Sequence, residues 1–199
     1  MKNILLFPGG FKPFHDGHLS ILDSHISNID NVHIDEVYIY ISNKDRDNIT
    51  ANSTLWFLKK INEKLNNFYN INIIPIITDI PSPIGKCYNI VNQSDNDDKF
   101  CLVTSNKDDD LKRKQDFVNY YEKKDIDKVI YINADIKPVY YKLRYDEYNN
   151  MPISSRIIRD DIYNNNFYSF STAYNIMLSK NIINKYILRE YFDILLNLI

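Results

Sequence analysis

Short runs rich in Ile, Val and Tyr alternate along this chain with stretches of helical periodicity, and that alternation restricts the fold more than any other feature. The runs are NILLF (3–7), EVYIYIS (36–42), INIIPII (71–77), KFCLVTS (99–105) and KVIYIN (128–133), composed as buried strands should be. Between them the spacing predicts helices over about 16–28, 51–68, 83–93 and 109–122. In the second of these, Leu55, Leu58, Ile61, Leu65 and Phe68 recur on one face at the period of an amphipathic helix. Strand and helix in alternation, with short connections, predict an α/β fold: an open parallel sheet of five strands with helices on both faces. Pro75 breaks the third run and marks an edge strand or a bulge, since proline cannot donate to a sheet ladder. Residues 134–152 read as irregular and polar, and 171–198 as one or two closing helices. The expectation is a single domain, 1–199, with a core over 1–160 and a C-terminal helical extension over 161–199.

Composition narrows the function classes. The chain has 199 residues, 44% hydrophobic and 25% charged, enough for one sizeable core and close to globular averages, which argues against disorder. A net charge of −2 argues against a nucleic-acid partner, because binding by counterion release needs a basic face. No window approaches 18 uncharged apolar residues, so no membrane span is expected. The apolar run before Pro8 and Gly9 is too short for a signal peptide. Cys87 and Cys101 lack the spacing of metal ligands and are expected as buried thiols in a reducing compartment. Together these features predict a soluble, cytoplasmic protein.

The first strand runs into PGGFKPFHDGHLSIL (8–22), which holds Gly9, Gly10, Gly17, His15 and His18 in a chain with only four glycines and four histidines. At a frequency of ~0.02 per position for each residue, a His-x-Gly-His pattern is expected about 0.0016 times by chance. Glycines after a strand let the backbone come close to a ligand and leave N–H groups free for phosphate oxygens. A helix starting near Asp16 would aim its positive end into the same space. His15 and His18, three apart, share one face of its first turn. Two imidazoles at a helix start beside a glycine-rich turn suit an anion whose charge grows during reaction. The plainer alternatives are a strand-to-helix turn with surface histidines, and a His-x-x-His metal pair, for which no third ligand stands nearby.

These residues carry a resemblance. GGFKPFHDGH resembles the His-x-Gly-His signature of the nucleotidyltransferase superfamily that includes cytidylyltransferases and nicotinamide-nucleotide adenylyltransferases. That superfamily's second signature, Ile-Ser-Ser-Thr-x-x-Arg, is matched by ISSRIIR (153–159), with Arg156 in place of the usual Thr or Ser. The segments YISNKDRDNITANSTLWFLKKI (40–61), PSPIGKCYNIV (81–91) and LVTSNKDDDLKR (102–113) are similar to cytidylyltransferase-like proteins of bacteriophages and large viruses. The likeness covers about 1–160. It implies a Rossmann-like sheet and transfer of a nucleotidyl group from ATP or CTP to a small phosphorylated acceptor, with release of pyrophosphate and no covalent enzyme intermediate. It also implies Mg²⁺ carried by the triphosphate, with no metal site on the protein. Host cytoplasm would be the compartment of a viral member, and a homo-oligomer stays open because relatives often dimerise.

Roles follow residue by residue from the same likeness. His15, His18, Lys12 and Arg159 are the candidate catalytic residues, the histidines on the α-phosphate and the cations on the departing pyrophosphate. Pro8, Gly9, Gly10, Phe11, Gly17, Ser154, Ser155 and Arg156 are the candidate nucleotide contacts. Ser154 or Ser155 reads as a helix N-cap, and Arg156 and Arg159 then place positive charge against the helix dipole, which makes sense beside a polyphosphate. The plainer reading has Asp160 and Asp161 neutralising both arginines, and Lys12 as a solvent lysine. Lys44 and Arg46 after the second strand, and Thr104, Ser105 and Arg113 after the fourth, are weaker candidates for the acceptor; solvated loops would explain them as well. Asp108, Asp109 and Asp110 read as favourable charges at a helix start. The rival function is a nucleotide-binding viral module whose chemistry has lapsed. A dinucleotide-dependent redox enzyme is disfavoured by the absence of Gly-x-Gly-x-x-Gly.

Overall fold

The structure is a computed structural model and describes residues 1–27, 33–95, 97–140 and 152–198. Four parallel strands, β1 (Asn3–Gly9), β2 (Glu36–Ile41), β3 (Asn72–Ile77) and β4 (Lys99–Leu102), lie in the order β3-β2-β1-β4. Each is followed by a helix: α1 (Asp16–Ser27), α2 (Ala51–Tyr69), α3 (Pro83–Gln93) and α4 (Asp108–Glu122). The predicted helices are therefore present with nearly the predicted bounds, although residue 28 lies outside the described residues. β3 is an edge strand, and Pro75 pairs with Ile39 there without breaking the register.

The sheet is covered on both faces, and the pleat decides which side chain goes where. Leu5 and Phe7 of β1, Val37, Ile39 and Ile41 of β2, and Cys101 of β4 share one core with Leu19 and Leu22 of α1 and Phe57, Leu58, Ile61 and Leu65 of α2. Ile4 and Leu6, Tyr40, Phe100 and Leu102 point the other way, onto Cys87 and Val91 of α3 and Phe117 and Tyr121 of α4. Both cysteines are free and buried. Phe68 departs from the predicted apolar face of α2: it is exposed at the end of the helix, and Phe57 fills the core.

One expectation is corrected. The sheet has four strands, because KVIYIN does not form a fifth. Only Val129 pairs, with Phe100, through Phe100 N–H to Lys128 O (2.8 Å) and Ile130 N–H to Phe100 O (2.8 Å). Further along, the Ile132 carbonyl accepts from the buried Lys114 ammonium instead of a ladder amide. After the sheet the chain forms α5 (Ser155–Tyr163), α6 (Phe167–Thr172), α7 (Asn175–Ser179) and α8 (Lys185–Leu196), so the expected closing segment 171–198 holds two helices, α7 and α8, behind the end of α6. Asparagines account for the breaks: Asn165 and Asn181 take left-handed backbone (φ 50 and 55), and Asn166 and Asn184 cap the next helices. These helices pack into the main core, to which Ile158, Ile162, Phe170, Tyr174, Leu188, Tyr191 and Phe192 belong together with residues of β1 and α2. Of the irregular segment 134–152, residues 141–151 lie outside the described residues.

Lys114 sits 3% exposed between α4 and α1, with Nζ 3.4 Å from His25 Nε2. His25 Nδ1 is 2.9 Å from the Ile21 carbonyl, so it carries the ring proton and Nε2 accepts from the ammonium. Burial, with the nearby lysine, pulls the His25 pKa from 6.5 to about 4. A histidine whose folded pKa is depressed contributes fully above pH 6.5 and loses that contribution as pH falls toward the folded value. His25→Gln, whose amide can make both bonds, is expected to flatten the acid limb of stability. The gap between wild type and variant should narrow in the variant's favour by up to about 3 kcal/mol between pH 6.5 and 4, read by urea unfolding across that range.

Candidate active site

A cleft of about 1000 Å³ opens at the carboxyl ends of β1 and β4, where the strand order reverses and open α/β sheets bind their ligands. The starts of α1, α3, α4 and α5 all reach its walls, and a helix start favours negative charge nearby. Fourteen of the predicted site residues line it: Pro8, Gly9, Gly10, Phe11, His15, Gly17, His18, Ser154, Ser155, Lys44, Arg46, Thr104, Ser105 and Arg113.

The two histidines form its centre. His15 precedes α1, and its Nδ1 accepts from Gly17 N–H (3.1 Å), which fixes the ring proton on Nε2, 3.2 Å from Ser155 Oγ. Ser155 Oγ lies 3.4 Å from Pro13 O and passes the chain on to that carbonyl. His18 Nδ1 accepts from His15 N–H (3.3 Å), so its proton is also on Nε2. The ring centroids are 3.9 Å apart, and His18 stacks on Phe14 and meets the edge of Phe11. Burial, reinforced by Lys107, drives the His18 pKa down to about 3; burial, His18 and Lys107 push His15 well below its usual value. Both imidazoles are neutral donors at pH 7. Gly17 permits this packing, because a Cβ there would come within 2.8 Å of Ile153 Cγ2 and 2.9 Å of His15 Cε1. None of the described glycines uses positive φ; the left-handed residue of the turn is Phe11 (φ 51), whose carbonyl accepts from Thr54 Oγ1 at 2.7 Å.

Asp16, between the histidines in sequence, turns away from the cleft. Its carboxylate accepts from Ile176 N–H (2.6 Å) and Met177 N–H (3.1 Å) at the start of α7, while its own N–H bonds Ala173 O (3.0 Å). Burial raises its pKa to about 7 against the opposing pull of those two amides and Lys180.

Three predicted contacts lie elsewhere. Lys12 is buried, with Nζ on the carbonyls of Ser42 (2.8 Å) and Lys44, and it faces the β2–α2 turn in place of a triphosphate. Arg159 is buried too, its Nε 2.5 Å from Asp47 Oδ2 and its Nη1 3.0 Å from Lys12 O. Arg156 is exposed and is absent from the cleft wall. The helix explains the difference: at ~100° per residue, Arg159 lies about 40° from cleft-facing Ser155, whereas Arg156 lies about 100° away. Ser154 takes the N-cap, accepting from Ile157 N–H at 3.5 Å. On the nucleotidyl transfer that the resemblance implies, Arg156→Thr is therefore expected to leave the KM for nucleotide unchanged; a rise of several-fold in steady-state assays would bring the guanidinium back to the phosphates.

The weaker candidates fare differently. Lys44 and Arg46 line the cleft. Arg113 reaches its wall but is held by Asp110 (2.9 Å), which also accepts from Ser105 Oγ. Thr104 Oγ1 is buried without a hydrogen-bond partner among the described residues. Sequence reasoning missed Lys107, which lines the cleft and whose charge is felt by both imidazoles. Its signal was its place just before the acidic helix start, on the far side of the strand reversal from His15. The wall formed by Pro81, Pro83, Ile136, Pro138 and Val139 was also missed; nothing in residue type separates such a wall from ordinary loop packing. No family model matches the chain, and no curated protein matches it. No described helix is long and apolar enough to cross a membrane.

Proposed function

We propose that the chain is a nucleotidyltransferase on a Rossmann-like sheet, transferring a nucleotidyl group from Mg²⁺-bound ATP or CTP to a small phosphorylated acceptor. The observation that carries this is the His15–His18 pair: two neutral imidazoles 3.9 Å apart at the switch point, each with its proton on Nε2. An acceptor phosphate oxygen attacks the α-phosphorus in line, the bond from that phosphorus to the α,β-bridging oxygen breaks, and pyrophosphate leaves. His18 Nε2–H donates to an α-phosphate oxygen as its negative charge builds. His15, tied to Ser155, holds the neighbouring ring and the start of α5 in register. Lys44, Arg46 and Lys107 supply positive charge around the polyphosphate.

A nucleotide-binding module without turnover is the second reading. It draws on the engagement of Lys12 and Arg159 by protein atoms. A panel of ATP or CTP with nicotinamide mononucleotide, sugar phosphates and polyol phosphates, scored by pyrophosphate release, separates the two. Release with one pair supports the transferase. Triphosphate binding with no release from any pair favours the module.

A further inference from the structure

The turn between β2 and α2 stands between the cleft and two of its expected cations. Its Ser42, Lys44 and Arg46 line the cleft, while Lys12 and Arg159 are buried against it. Arg46 and Ile49 exchange both backbone hydrogen bonds (3.1 and 3.0 Å), and Asp47 and Asn48 between them have φ 49 and 62. This is a two-residue hairpin turn with both central residues left-handed. Its tip presents Asp47, whose Oδ2 sits 2.5 Å from Arg159 Nε. A second hold comes from Lys12 Nζ on the carbonyls of Ser42 and Lys44.

A guanidinium that is about 10% exposed needs a counter-charge. A carboxylate oxygen on its Nε–H makes the same charge-assisted bond that a phosphate oxygen would. We propose that Asp47 is a resident anion occupying the polyphosphate position of Arg159, so that the 42–49 turn is a latch which a triphosphate must displace. The inference rests on the transferase reading above and on the role the sequence resemblance implies for Arg159, a cation for the departing pyrophosphate. Opening the latch exchanges one anion for another on Arg159, frees Lys12 from the turn carbonyls and releases Lys44 and Arg46 to follow the incoming phosphates. A nucleoside monophosphate does not reach Arg159 and leaves the latch shut.

A latch closed about nine-tenths of the time weakens apparent affinity about tenfold. The test uses inorganic tripolyphosphate, titrated calorimetrically into wild type, Asp47→Asn and Asp47→Gly. Both replacements accept left-handed backbone, so the turn is kept, and circular dichroism checks the fold. The expected result is tripolyphosphate binding about tenfold tighter in both variants, with AMP or CMP binding unchanged and the gain abolished in the Asp47→Asn/Arg159→Met double variant. Equal or weaker binding in both single variants, with wild type still binding tripolyphosphate, overturns the latch alone. Absence of binding in all proteins overturns the latch and the polyphosphate reading together.

Discussion

His18→Ala is expected to slow pyrophosphate release by about 10²–10³-fold, the usual cost of losing one preorganised donor to a developing charge. The expectation follows from how the ring is held. Its Nδ1 is used by His15 N–H, its faces meet Phe14 and Phe11, and only Nε2–H remains for a ligand. With a pKa near 3 the ring is a neutral donor throughout the physiological range, so the donor is lost and no charge is. Such a donor contributes more as the transition state forms than in the ground state, so kcat should fall more than KM rises. His18 is half-buried at the cleft wall, and the variant is expected to melt cooperatively. Single-turnover rates beside a thermal melt test this. Wild-type turnover in a folded His18→Ala protein would leave the histidine pair as packing and remove the basis for the transfer chemistry.

The second large effect is on stability. Phe57→Ala is expected to cost about 3–5 kcal/mol, the range for deleting a fully buried aromatic ring. Phe57 of α2 is completely buried, stacks on Tyr191 of α8 at 4.2 Å and 14°, and meets Tyr174 edge-on at 5.7 Å. The loss combines lost transfer energy with a cavity that the two ring neighbours cannot collapse to fill. Tyr186 lies at the start of the same α8 but is 89% exposed, so Tyr186→Ala should stay within about ±0.5 kcal/mol. Urea unfolding of the pair decides the matter, and similar midpoints would mean that α8 does not dock on α2. A functional echo is expected in Phe57→Ala, because Thr54, one turn earlier on α2, holds the Phe11 carbonyl of the histidine turn.

Local pattern carried much of this architecture and lost it where distant partners decide. Alternation placed β1 to β4 and α1 to α4, since each strand is a run of residues suited to burial, and α2 and α3 start at their own caps, Thr50 and Ser82. KVIYIN has the composition of a strand too, yet whether it pairs depends on Lys114, an arm's length away in space and invisible to periodicity. The His-x-Gly-His turn was readable because rare residues were concentrated in it, and the residues around it do line one cleft. Lys12 and Arg159 were placed by resemblance to a family's signatures, which cannot foresee that Asp47 and two loop carbonyls lie closer to them in this chain than the cleft does. Lys107 shows the converse: an ordinary lysine in sequence gains its position from the strand order, which only the folded sheet establishes.

The bond from Asp16 to the amides of Ile176 and Met177 also sets an order of events in the making of the protein. These partners are 160 and 161 positions apart, among the most distant contacts a chain of this length can make, and such contacts close late because of their loop entropy. The histidine turn is synthesised before its brace, which follows 160 positions later. The turn therefore goes unsupported until α7 has been made, and, on the transferase reading, competence for nucleotide should switch on with α7 instead of growing in with the sheet.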